Sequence, residues 1–197
     1  MRKRKPDARE LYRIAERQAG YFTTRQARQA GYSPSLLTYH TKRGTFQRVR
    51  RGVYRWSAFP EMPHADLFVA WLSAGPKAVI SHDSALMLYG LSDALPGEIH
   101  LTVPRTASRR RRGVRLHTAR LQPEEVTERE GLPVTTLPRT FTDLLHDGMG
   151  EDLIHQAVQQ ALERGLVRRE ELIAEAQRRG GRVARVLRRA LALWESL

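Results

Sequence analysis

Apolar residues recur with helical spacing at the start of the chain. In residues 8–19 one helical face carries Leu11, Ile14, Ala15 and Gln18. Gly20 ends this predicted helix. Thr23 and Gln26 have the spacing of a capping box, which marks the start of a second helix, and Gly31 ends it. The pattern therefore predicts two short helices in the first part of the chain.

A third helix and a hairpin follow. Ser33 is suited to cap the helix, Pro34 to occupy its first turn, and Gly44 to end it. Residues 45–56, TFQRVRRGVYRW, then place apolar and polar residues on either side of an Arg-Gly turn, as a β-hairpin does. Three short helices followed by a hairpin predict a winged helix-turn-helix domain in residues 1–57.

The pattern changes after SAFPEMPHA (57–65), whose two prolines are typical of a linker. Strands are predicted at 76–81, 98–104 and 113–121, extended segments at 124–136, and helices at 66–74, 82–91, 136–145, 151–164, 169–178 and 182–195. Residues 106–112, TASRRRR, are expected to form a hairpin tip or a loop. The overall prediction is an α+β fold, in which the winged helix-turn-helix precedes an α+β domain in residues 64–197 with a small, mostly antiparallel sheet and a helical C-terminal tail.

Charge distinguishes the two predicted domains. The chain has 34 Lys and Arg against 21 Asp and Glu, a formal net charge of +13. Residues 1–57 contain 15 of the basic residues and only three acidic ones, so +12 of the net charge lies there. A basic module of this kind is typical of a domain that docks on a polyanion, most often nucleic acid.

The predicted third helix and hairpin contain residue types that bind DNA. With Leu36, Leu37 and His40 packed inward, the helix has an outer edge of hydroxyl, aromatic and basic groups that suit base edges and phosphates. Arginines of the hairpin suit the backbone, whereas Tyr54 and Trp56 are expected to pack in the core. The candidate DNA-binding residues are Ser35, Thr38, Tyr39, Lys42, Arg43, Arg48, Arg50, Arg51 and Arg55. The alternative is a solvated basic face on a module that contacts protein.

The chain shows no pattern that favours catalysis. It has no cysteine, which excludes disulfides and a cysteine nucleophile, and no acidic-x-Lys step of the kind that restriction-type nucleases use. His82, Asp83 and Ser84 form a triplet that invites a catalytic interpretation. His100 and His117 can face each other on paired strands as metal ligands. Helix capping and packing explain these residues better, so we expect no catalytic residue, no metal site and no cofactor.

Residues 8–56, and TFQRVRRGVYRW in particular, resemble the N-terminal domain of AbiEi-type antitoxins of type IV toxin–antitoxin systems. The resemblance continues through ISHDSALMLYGL, EIHLTVP, GVRLHTARL and GLPVTTLPRTFTDLL, and so extends over residues 8–165. It implies a winged-helix domain that represses its own operon at inverted repeats in double-stranded DNA. It also implies a second domain that counters a nucleotidyltransferase-like toxin, directly or indirectly.

These observations predict a sequence-specific transcriptional autorepressor and antitoxin. The alternatives are an orphan winged-helix regulator without a toxin and, less favoured, a DNA-processing protein. The run Arg109, Arg110, Arg111 and Arg112 is either a second basic patch or a solvated loop. Apolar stretches shorter than the ~20 residues of a membrane span, and an N-terminus without an apolar signal core, predict a soluble cytoplasmic protein without a membrane partner.

Overall fold

The structure, a computed structural model, describes residues 5–92, 97–107 and 112–195. Its contacts divide the chain into two compact units. The N-terminal unit comprises Met1–Ala78 and Glu130–Leu132, and the C-terminal unit comprises Val79–Arg129 and Pro133–Leu197. The predicted division into a domain in residues 1–57 and a domain in residues 64–197 stays a prediction.

The N-terminal unit combines helices with a small sheet. Its elements are α1 (Ala8–Glu16), β1 (Tyr21–Thr23), α2 (Thr24–Gln29), α3 (Pro34–Lys42), β2 (Phe46–Arg50), β3 (Val53–Trp56) and α4 (Ala65–Ala74). The sheet is antiparallel, in the order β1-β3-β2. The helices and the hairpin agree with the sequence prediction, but β1 was missed because three residues are too few to show an alternating pattern.

Local hydrogen bonds explain where the first helices begin. The hydroxyl of Thr23 accepts from the backbone N–H of Gln26 at 3.2 Å, and the Gln26 side chain accepts from the backbone N–H of Thr23 at 2.8 Å. This confirms the predicted capping box. The hydroxyl of Ser33 accepts from the backbone N–H of Leu36 at 3.1 Å, and Pro34 follows in the first turn of α3. Both caps orient short helices that have little intrinsic stability.

An aromatic core holds these elements together. Phe22 of β1 and Phe46 of β2 are fully buried, and their rings meet edge to face with centroids 5.0 Å apart. Tyr54 stacks on Phe22, and Trp56 contacts Phe46 edge to face, which confirms that both pack against the core. Burial of each large apolar side chain contributes about 1.5–3 kcal/mol. Leu37 joins this core from α3, so the helix is anchored on one face only.

The C-terminal unit is built from a sheet and helices. Its elements are β4 (Val79–Ile80), α5 (His82–Leu88), β5 (Ile99–Val103), β6 (Val114–Thr118), β7 (Val126–Arg129), β8 (Leu132–Thr135), α6 (Leu137–His146), α7 (Glu151–Glu163), α8 (Arg169–Arg179) and α9 (Gly181–Glu195), with single 3-10 turns at Arg105–Ala107 and Pro123–Glu125. The helical C-terminal tail is thereby confirmed. No helix among the described residues has the length and apolar content needed to cross a membrane.

The sheet of this unit is mixed, so the predicted mostly antiparallel sheet is wrong. Its strand order is β6-β5-β4-β8-β7. β4 and β5 are antiparallel, whereas β4 pairs parallel with β8 and β5 pairs parallel with β6. Alternating polarity reports which residues face the core but not which way the neighbouring strand runs. β5 and β6 run parallel and so do not pair as a hairpin, which makes the hairpin-tip alternative for the segment between them wrong.

Candidate functional site

The outer edge of α3 is exposed to solvent. Ser35, Thr38, Tyr39, Lys42 and Arg43 are all exposed, and Tyr39 keeps 49% of its surface accessible. On the opposite side Leu37 is 1% exposed, while Leu36 and His40 are partly buried. The structure therefore brings the five predicted helix residues to one accessible edge.

Three side chains of this edge make contacts within the helix. Arg43 Nη1 donates to the hydroxyl of Tyr39 at 2.7 Å, and its guanidinium lies 5.6 Å from the Tyr39 ring centroid. Thr38 Oγ1 donates to the carbonyl of Pro34 at 3.0 Å, which leaves the hydroxyl oxygen able to accept a hydrogen bond. Pre-ordered side chains lose less conformational entropy when they bind a partner.

The β2–β3 hairpin carries the predicted arginines on an irregular strand. Arg48 and Arg51 are exposed, and Arg50 is partly buried. The pairing register shifts between Arg48 and Arg50, which makes Val49 the extra residue of a β-bulge, 40% exposed. Gly52 completes the turn at φ +83°, a left-handed conformation that glycine adopts at little cost. Arg48 and Arg51 are the exposed arginines on either side of this bulge.

Arg55 differs from the other predicted residues. It lies on the central strand β3, between Tyr21 of β1 and Gln47 of β2, and is partly buried. Its Nη2 donates to the carbonyl of Phe59 at 2.5 Å. The guanidinium is thus engaged within the unit.

The sequence segment that forms α3 and the hairpin carries charges of a single sign. The three acidic residues of the first 57, Asp7, Glu10 and Glu16, lie at the start of α1 or within it. Residues 17–60 contain nine arginines and lysines and no Asp or Glu. No carboxylate from this segment opposes the cations of α3 and the hairpin, so their combined field favours a polyanion.

A second polar cluster occupies the C-terminal unit. We call His82, His100 and His117 the histidine cluster. His100 Nδ1 lies 3.3 Å from His117 Nε2 and 3.4 Å from Asp83 Oδ2. The rings of His82 and His117 are stacked, with centroids 3.5 Å apart. In the parallel register of β5 and β6, His117 lies opposite Thr102 and diagonal to His100, so both histidines are on one face of the sheet.

Burial keeps the histidine cluster uncharged. Desolvation, followed by repulsion from His117 and His100, lowers the pKa of His82 to about 3. Desolvation also lowers the pKa of His100 and of His117, although the carboxylates of Asp83 and Asp147 act in the opposite direction. A lowered pKa favours the neutral imidazole, which has one ring nitrogen that donates and one that accepts.

The sequence predicts that two of these histidines are neighbours, but it does not predict that the third lies beside them. The sequence pattern lets His100 and His117 face each other on paired strands, whereas it places His82 in a separate triplet with Asp83 and Ser84. The alternation of EIHLTVP and GVRLHTARL places two histidines on one face. Nothing in the pattern shows that the first residue of α5 packs beside that face.

The arginine run lies mostly beyond the described residues. Arg109, Arg110 and Arg111 lie outside them, and of the four only Arg112 is described. The second basic patch therefore stays a prediction.

A model of a known family matches part of the N-terminal unit. Residues 9–55, from α1 to β3, match a family model described as a transcriptional regulator, AbiEi antitoxin. No curated protein matches the chain. The match includes every predicted DNA-binding residue, and beyond residue 55 the resemblance stays a prediction. Residues 9–55 of the chain are therefore similar to a family of transcriptional regulators described as AbiEi antitoxins.

Proposed function

We propose that the protein is a sequence-specific DNA-binding autorepressor and antitoxin, and that its N-terminal unit is a winged helix-turn-helix. The observation that carries the proposal is the exposed edge of α3 beside a basic hairpin, in a segment free of carboxylates. The family match over residues 9–55 supports the same function, because that family is one of transcriptional regulators. The family is regulatory, and we propose no enzymatic activity.

In this proposal α2 and α3 form the helix-turn-helix, and α3 enters the major groove. Tyr39 and Lys42 contact base edges, with Arg43 holding the tyrosine ring in position. Thr38 offers a methyl group and an acceptor oxygen. Arg48, Arg50 and Arg51 of the hairpin bind phosphates, which positions the helix without specifying sequence.

The same proposal assigns the protein to a toxin–antitoxin pair. The family description names an antitoxin, and autorepression lets such a protein adjust its own level. The partner we propose is a nucleotidyltransferase-like toxin encoded beside it, countered directly or indirectly. The orphan-regulator alternative keeps the DNA function and lacks the toxin.

Binding of the full chain to its own promoter tests the DNA function. Fluorescence anisotropy should show salt-dependent binding that weakens when the inverted repeats are scrambled. The double variant Tyr39→Ala/Lys42→Ala should lose this preference, whereas Arg189→Ala, an exposed arginine of α9, should keep it. Equal affinity for intact and scrambled repeats would contradict the proposal.

Co-expression of the full chain with the neighbouring candidate toxin tests the antitoxin function. Growth should be restored by the wild type, and also by Tyr39→Ala/Lys42→Ala when expression is driven from a foreign promoter. If promoter binding is intact but growth is not restored, the protein is an orphan regulator. A variant with Arg109, Arg110, Arg111 and Arg112 changed to Ser tests the second basic patch: rescue lost at equal protein level supports it, and unchanged rescue contradicts it.

A further inference from the structure

The histidine cluster has the dimensions of a metal site. His82, His100 and His117 each offer a ligand atom, and these atoms all lie within 4.8 Å of one another. A Zn²⁺–N bond is about 2.0–2.1 Å, so two ligands of a tetrahedral zinc ion lie about 3.4 Å apart. The two measured separations, 3.3 Å between His100 Nδ1 and His117 Nε2 and 3.4 Å between His100 Nδ1 and Asp83 Oδ2, have that length.

We propose that the C-terminal unit binds one divalent transition-metal ion, with Zn²⁺ as the expected occupant. The ligands are the imidazoles of His82, His100 and His117, with the carboxylate of Asp83 in the fourth position. This assignment departs from the sequence-based expectation of no metal site.

The surroundings of His82 support a ligand role. Its Nδ1 lies 2.9 Å from Ser81 Oγ, which also accepts a hydrogen bond from Thr102 Oγ1 at 2.9 Å. A ring nitrogen held by an outer partner leaves the other nitrogen to bind metal, as in most protein zinc sites. His82 Nε2 is then the ligand atom.

The backbone at His82 gives independent support. His82 has φ +53°, a left-handed conformation that is strained for a residue with a Cβ atom. Such strain persists where the surrounding structure requires it, and it concentrates at functional sites. Here the strained residue is the first residue of α5. Its side chain brings the third imidazole to the pair on β5 and β6.

Binding requires a small rearrangement. The rings of His82 and His117 are within 15° of parallel, whereas a metal ion lies close to the plane of each imidazole that binds it. One of the two rings must rotate so that both nitrogens point to one centre. The ligand atoms now lie within 4.8 Å of one another. The rotation brings them to the separation of about 3.4 Å that a tetrahedral zinc ion requires.

The donor set predicts selectivity. Neutral imidazole suits Zn²⁺, Co²⁺, Ni²⁺ and Cu²⁺, whereas Mg²⁺ and Ca²⁺ prefer oxygen ligands. The nearby guanidinium of Arg115 is paired with Asp147 at 3.1 Å, and the carboxylate offsets its repulsion of a cation. The cluster should therefore bind Co²⁺ and Zn²⁺ in competition and ignore millimolar Mg²⁺.

Titration of the untagged, metal-free full chain with Co²⁺ and Zn²⁺ tests the site. Wild type should bind one equivalent of Co²⁺ with the visible absorption of a tetrahedral nitrogen-ligated ion, and Zn²⁺ should remove that absorption. His117→Ala should weaken binding by more than about 100-fold, beyond the usual effect of losing an outer partner. His146→Ala, which removes an exposed histidine of α6 in the same unit, should bind as wild type does.

Two further variants separate ligands from supports. Asp83→Asn should change the absorption spectrum, whereas Ser81→Ala should keep the spectrum and weaken binding about 10-fold or more. Circular dichroism shows whether each variant is folded. An unchanged spectrum and affinity in Asp83→Asn would remove Asp83 from the ligand set. Absence of one-equivalent binding by folded wild type, or equal binding by folded His117→Ala, would overturn the proposal and leave a cluster of packed neutral histidines.

Discussion

The two units use arginine in opposite ways. In the N-terminal unit Lys42, Arg43, Arg48 and Arg51 are exposed, and the core is formed by apolar residues such as Phe22 and Phe46. In the C-terminal unit Arg139 is 8% exposed, and its Nε and Nη1 donate to Asp143 at 2.8 Å and to Glu125 at 3.0 Å. One set of charges is left available to a partner, and the other is satisfied internally.

A second carboxylate extends this internal network. Glu175 of α8 is 1% exposed and accepts from the hydroxyl of Thr142 at 2.7 Å. It also pairs with Arg178 and Arg179, and Arg179 in turn reaches Glu125. We call Glu125, Arg139, Asp143, Glu175, Arg178 and Arg179 the ion network.

Buried and exposed charges have different requirements in the two units. Buried ions are costly unless they are paired, so a unit that buries charges must balance them. An exposed cation needs no protein partner and retains its long-range field. Residues 1–57 carry +12 of the net charge, whereas the ion network balances three arginines with three carboxylates.

The largest expected effect is on the free energy of unfolding, when the ion network loses an arginine. Arg139→Ala leaves Asp143 and Glu125 without their buried partner, and loss of one member of a buried pair costs about 3–5 kcal/mol. Urea unfolding followed by circular dichroism should show a decrease of that size in the free energy of unfolding. Promoter affinity of the folded fraction should be unchanged.

Arg189→Ala is the matched control, because it removes an exposed arginine from the same unit. Its free energy of unfolding should stay within about 0.5 kcal/mol of wild type. If both variants lost the same stability, the contrast between buried and exposed arginines would be wrong.

Features of the fold that depend on neighbouring residues were predictable from the sequence, whereas features that depend on distant contacts were not. Helix caps at Thr23 and Ser33 were predictable because both partners lie within three residues. Parallel pairing of β5 with β6 and the approach of His82 to the sheet depend on contacts that no local pattern records. The local pattern does not show that Arg139 is buried, because one of its two partners, Glu125, is fourteen residues away.

The accessible edge of α3 was also predictable, because it depends on residues that are close together in the sequence. Helical spacing alone places Thr38, Tyr39 and Lys42 on the side opposite Leu37. The hydrogen bond of Arg55 to Phe59 was not predictable, since it joins a strand to a loop without periodicity.

The next effect concerns the pH dependence of the ion network. Burial raises the pKa of Glu175, but hydrogen bonds from Arg178, Thr142 and Arg179 outweigh it, and the net pKa is lowered. A lowered folded-state pKa contributes stability above the unfolded value near 4.5, and this is lost as the pH falls through the folded pKa. Glu175→Gln removes hydrogen bonds to a charged group and should cost about 1.5–3 kcal/mol at pH 7.

The difference between wild type and Glu175→Gln should shrink as the pH falls from 7 to 3. Urea unfolding at several pH values measures it, with Glu170→Gln on the exposed side of α8 as the control. A difference that stays constant with pH would show that the carboxylate contributes by packing, and not by charge.

The N-terminal unit should respond in DNA discrimination, not in stability. Lys42→Ala and Tyr39→Ala each remove an exposed group proposed to contact bases, worth on the order of 1–3 kcal/mol of discrimination. Competition between promoter and scrambled DNA measures the ratio of affinities, and circular dichroism should show unchanged unfolding. Loss of stability in place of discrimination would assign these residues to the fold.

The smallest expected effect is on the salt dependence of DNA binding. Arg48 and Arg51 lie on the exposed end of the hairpin, where we expect each to neutralise one phosphate. Each phosphate contact contributes about 0.9 to the slope of log affinity against log salt concentration, because binding releases condensed counterions. Arg51→Ala should therefore reduce the slope by about 0.9 and weaken promoter and scrambled DNA equally. Arg48→Ala should do the same, and Arg189→Ala should leave the slope unchanged. If the hairpin variants altered sequence preference and the α3 variants altered only the salt slope, base and phosphate contacts would be exchanged between the two elements.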